Sequence, residues 1–159
     1  MYSSEKKSYI VIVVAASLWC AAFTLQPILI HGGPLFKGAS YLIGKGFAPI
    51  CHQNPERCLS ILNHPMAVCS RCAGIYYGAL FGIFLFPWLH NQYNRLQISI
   101  RWLGFAALPI LVDVGLAQAG LPSSGTVTRL FTGILLGWIS MCYIIPGILD
   151  WLAPRQMKA

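Results

Sequence analysis

Between Lys7 and Lys37 the chain carries no charged side chain, and from Tyr9 to Ile30 it is apolar almost throughout. A run of this kind suits one environment above others. About 20 apolar residues in a helix cross the hydrocarbon core of a bilayer, where no water satisfies backbone groups. Three more stretches share the pattern, at about 73–89, 102–121 and 130–149, and Asp113 is the one charge inside them. Charged residues make up 9% of the 159, against roughly 25% in soluble proteins. That is too few to coat a water-soluble globule. The expected fold is all-α: one transmembrane domain, an integral-membrane four-helix bundle with spans at about 9–30, 73–89, 102–121 and 130–149.

Lys6 and Lys7 before the first span resemble the basic start of a signal peptide, but the apolar run exceeds the usual 7–15 residues. The span is therefore read as retained. The net charge of +7 in so apolar a chain reads as topology signal and as contact with anionic lipid, with no nucleic-acid partner implied. Lys6, Lys7, Arg95, Arg101, Arg155 and Lys158 crowd short segments on one side. Lys37, Lys45, Arg57, Arg71 and Arg129 fall on the other, mostly in a long loop. Basic density in the short segments favours cytoplasmic termini in the plasma (inner) membrane.

Gly74, Gly78 and Gly82 recur every fourth residue on the second span, as do Gly133 and Gly137 on the fourth. Small residues at that spacing let helix backbones approach closely in lipid. Between the first two spans, residues 31–72 are too many for a simple connector. Leu35, Phe36, Ala39, Leu42 and Ile43 share one helical face there, which predicts a short interfacial helix.

The chemistry concentrates directly after that helix. Cys51, His52, Cys58, His64, Cys69 and Cys72 place four of the six cysteines and two of the four histidines within one loop. A metal site is one reading, with Cys51, His52, Cys69 and Cys72 as ligands and zinc as the ion, since Cys-x-x-Cys is a common half of such sites. His52, adjacent to Cys51, is awkward as a second ligand to one ion and suits a supporting or basic role. Thiol–disulfide chemistry is another reading: a Cys-x-x-Cys at a helix N-terminus has its thiolate stabilised by the dipole, with Arg71 adding charge. Its natural partner in a membrane is a quinone. A third reading is a disulfide-stapled loop in a non-enzymatic subunit or transporter. Covalent haem attachment is excluded, because Ala73 stands where a histidine is needed. The chain remains open as enzyme or non-enzyme, with a membrane protein or lipid-soluble small molecule as the conceivable partner.

Cys51-His52-Gln53, Pro55-Glu56-Arg57 and Cys69-Ser70-Arg71-Cys72-Ala73-Gly74-Ile75-Tyr76 resemble a prokaryotic family of small predicted membrane proteins of unknown function. Asp113 and Arg129-Leu130-Phe131-Thr132-Gly133 extend the likeness. The resemblance implies a multi-pass membrane protein and no established reaction. The chain departs from the family pattern at Cys58, where a small hydroxyl residue is usual, and at Val114, where glycine is. Three shared cysteines cannot pair off fully, which tilts this reading toward a metal.

Asp113 in the third span is costly unless partnered, and Arg129 at the outer end of the fourth is the natural partner. A structural Asp113–Arg129 pair fixing helix register is the plain alternative to a catalytic role. Asp113, Arg129, His52 and Tyr76, one turn after Cys72, are the candidate catalytic residues. Cys20 and Cys142 read as packing residues.

Overall fold

A computed structural model describes residues 3–93, 101–119 and 124–152. Five α-helices and one hairpin follow in order: α1 (Ser3–Leu29), α2 (Pro34–Phe47), β1 (Cys58–Ile61), β2 (His64–Cys69), α3 (Ser70–Tyr93), α4 (Arg101–Gln118) and α5 (Thr126–Leu152). The four apolar stretches fall on α1, α3, α4 and α5. The end of the third span, at 121, and Arg95, Arg155 and Lys158 of the topology argument lie outside the described residues. By length and composition, α1 over Lys6–Leu29 and α5 over Thr126–Ile148 are each long and apolar enough to cross a membrane.

The closest packing in the molecule is α3 on α5. Gly74 and Gly78 of α3 lie so near α5 that a Cβ at either would collide with the Leu130 or Ile134 carbonyl oxygen. Gly133 and Gly137 return the fit, meeting the Arg71 and Ile75 carbonyls. Two small-residue stripes thus face each other, and dispersion replaces the hydrophobic drive that lipid does not supply. Below them Ile83, Phe86 and Ile145 form a buried cluster with Tyr9, Ile12 and Val13 of α1. Tyr9 anchors α1 there, its hydroxyl donating to the Ile83 carbonyl at 2.8 Å.

At the other end, a larger core joins Cys20 and Phe23 of α1 to Phe47 of α2, to Met66, Ala67 and Val68 of β2, and to Ala73 of α3. The hairpin was not expected from sequence. Its register pairs Ile61 with His64, so Leu62 and Asn63 form a two-residue turn, both at positive φ (51° and 63°). That backbone twist matches the strands it joins. On α2, the residues turned inward are Ser40 and Phe47. The Ser40 hydroxyl donates to the Gln26 carbonyl at 2.9 Å. The expected apolar stripe divides instead: Ile43 packs on the core, whereas Leu35 (81% exposed) and Leu42 (69%) face outward.

Candidate metal centre

Three segments deliver one sulfur each to a common point. Cys51 follows α2 and is held by its amide donating to the Phe47 carbonyl at 3.0 Å, the last turn of that helix. Gln53, at φ 48°, then ties the loop down: its Nε2 donates to Gly44 and Ala67 carbonyls, both at 2.8 Å. Asn54 caps the 3-10 turn at Pro55–Arg57 by accepting from the Glu56 amide at 3.1 Å. Cys69 ends β2, and Cys72 lies in the first turn of α3. The Sγ atoms of Cys51, Cys69 and Cys72 all lie within 4.8 Å of one another. Zn–S bonds of about 2.3 Å at tetrahedral angles put sulfurs roughly 3.8 Å apart, so small side-chain rotations bring these three onto one ion.

Hydrogen bonding within the cluster favours the thiolate at Cys69. The Cys69 amide donates to the Cys51 sulfur at 3.1 Å. The Cys72 thiol donates to Cys69, which is held below the usual thiol range chiefly by that hydrogen bond. Cys72 is pushed up by the same bond and by burial. All six cysteines are unbridged.

Other candidates fall around this point rather than in it. Cys58 is opposite Cys69 in the ladder but its sulfur does not join the cluster. Burial pushes its thiol up to about 11. His52 is exposed and also stays out of the cluster. It lines an adjacent pocket of about 140 Å³ together with Asn54, Arg57, Cys69, Ser70, Arg71 and Arg129. Cys69 is thus shared between cluster and pocket. Tyr76 packs among Trp19 and Phe23, with ring centroids 5.9 and 5.7 Å away, and is absent from the pocket wall. Cys20 is buried and donates toward the Tyr76 carbonyl at 3.6 Å.

Asp113 lies under the pocket, 7% exposed. Arg129 Nε donates to its Oδ2 at 3.2 Å, and Arg71 donates to the same oxygen. The Ser124 amide donates to Oδ1 at 2.7 Å, joined by the Ser124 hydroxyl. Sequence reasoning paired Asp113 with Arg129 and missed Arg71 and Ser124. Arg71 belongs to the Cys-x-Arg-Cys segment, and that placement makes one residue bridge the thiol cluster and the buried carboxylate.

A helical membrane-type chain with a three-cysteine cluster is the class these features define. Residues 51–143 match the family described as predicted membrane protein DUF2085, and the chain belongs to that family. An uncharacterised protein of Methanocaldococcus jannaschii is 32% identical over 145 residues, covering 89% of this chain and 92% of the relative. An uncharacterised protein of Methanothermobacter thermautotrophicus is 37% identical over 92 residues, covering 57% and 80%. No solved structure matches.

Proposed function

We propose that this is a four-span plasma-membrane protein that holds zinc through Cys51, Cys69 and Cys72 at its outer membrane–water interface. Large apolar side chains standing outward on all four long helices support the spans, among them Val11, Phe84, Trp88, Phe105, Leu111 and Phe131. Leu35 and Leu42 give α2 a lipid-facing side. The observation that carries the metal reading is the convergence of three sulfurs from three segments. A disulfide needs two. Three thiolates leave a fourth tetrahedral position, the arrangement of sites that admit water or a substrate. Cys69 and His52 both line the pocket, so a ligand taken up there would meet His52 as a nearby base.

Metal-bound thiolates resist alkylation until the ion is removed. Maleimide labelling of the purified protein should therefore leave Cys51, Cys69 and Cys72 unmodified until a chelator is added. Equal labelling before and after chelation would argue against the ion.

A second reading has one observation in its favour. The Cys69 and Cys72 sulfurs lie within 4.8 Å of each other across a Cys-x-x-Cys at the start of α3, the relation of a redox pair. Such a pair would pass two electrons and two protons to a quinone, forming one disulfide and one quinol. Its mark is a Cys69–Cys72 disulfide that dithiothreitol opens and added quinone restores.

A further inference from the structure

The pocket beside the thiols has a composition that holding a metal does not call for. Arg57, Arg71 and Arg129 reach its wall from three separate elements, with His52 and Asn54 beside them, and no acidic side chain among the described residues lines it. The carboxylate set against them is Asp113, which engages Arg71 and Arg129. Three guanidinium charges against that carboxylate and the Cys69 thiolate leave the site positive.

Two donors there have no partner among the described residues. Ser70 lines the pocket and is wholly buried, yet its hydroxyl is unsatisfied. The buried Nε of Arg71 is unsatisfied as well. A buried polar group without a partner is costly, so two such donors in one small pocket point to something that normally occupies it. Ser70 also opens the long helix α3, whose first amides and positive dipole end favour an anion.

We infer that this pocket binds a phosphate group, presented either by a lipid headgroup or as a free anion. Several donors converging from different directions suit a tetrahedral oxyanion, and guanidinium forks match its oxygens. His52 and Arg57 on the pocket wall are exposed, so a ligand reaches the pocket without rearrangement of the helices. The inference goes beyond the metal centre and stands without it.

The test uses the purified full chain. Inorganic phosphate is titrated in non-ionic detergent by calorimetry. In parallel, protein in phosphatidylcholine nanodiscs is compared with and without phosphatidic acid. Saturable binding is expected with at least one probe, weakened at least about tenfold by Arg57→Gln and by Ser70→Ala, because charge-assisted hydrogen bonds are lost. Ser70→Ala should leave the melting temperature of the ligand-free protein unchanged or higher, since no protein partner is lost. Lys37→Gln, on α2 and outside the pocket wall, should leave binding intact. A response to inorganic phosphate identifies the free anion, a response to phosphatidic acid alone identifies the headgroup, and either carries the inference. Binding to neither, or binding that Lys37→Gln weakens as much as Arg57→Gln, overturns it.

Discussion

Asp113 is the residue on which the thiol-bearing end of the molecule turns. One buried carboxylate accepts from two arginines and from the backbone and side chain of Ser124. Two guanidiniums therefore share it as a counter-charge. Removing one partner of a buried pair costs about 3–5 kcal/mol, because the other charge is stranded. Asp113→Asn should lower unfolding stability in detergent by about that much. Arg129→Gln should cost less, as Arg71 remains on the same oxygen. The double variant should cost clearly less than the sum of the singles. Additive losses would mean that the two residues are not coupled. Cys58 presents the opposite case: burial keeps its thiol protonated and its sulfur stands outside the cluster. Cys58→Ser should then affect packing while sparing whatever the three clustered thiols hold.

At the scale of elements, the contact of α3 with α5 rests on glycines with no room for a methyl group. Gly78→Ala should destabilise the pair by about 1–3 kcal/mol through overpacking. Gly104→Ala in α4, where a Cβ would meet nothing within 4 Å, should be neutral or gain up to about 1 kcal/mol from helix propensity. Equal effects in unfolding assays would refute the close approach. This contact was legible beforehand, because every-fourth-residue glycine on two apolar runs has a direct physical meaning in lipid. So was the cysteine cluster, whose members lie close in sequence. The hairpin was not. Met66, Ala67 and Val68 are buried in succession, which hides the two-residue period of a strand, and Leu62 is an unusual residue for a positive-φ turn. Arg71 was read only beside its cysteines, since its pairing with Asp113, 42 residues away, follows from the α3–α5 contact and from α4 packing on α5, not from any spacing.

For the whole molecule, the proposed orientation puts both termini in the cytoplasm and the hairpin, α2 and the thiols outside. The exposed turn at Leu62 offers a place to read it. A reporter inserted at residue 62 should be active outside the cytoplasm, and one fused at the C-terminus active within it. A C-terminal reporter active only outside would reverse the assignment. Elemental analysis of protein purified without added metal decides whether this chain is built around an ion. About one zinc per chain is expected, abolished by Cys69→Ser or Cys72→Ser and largely retained in Cys58→Ser. Metal-free protein with Cys69 and Cys72 joined in a reducible disulfide would contradict it.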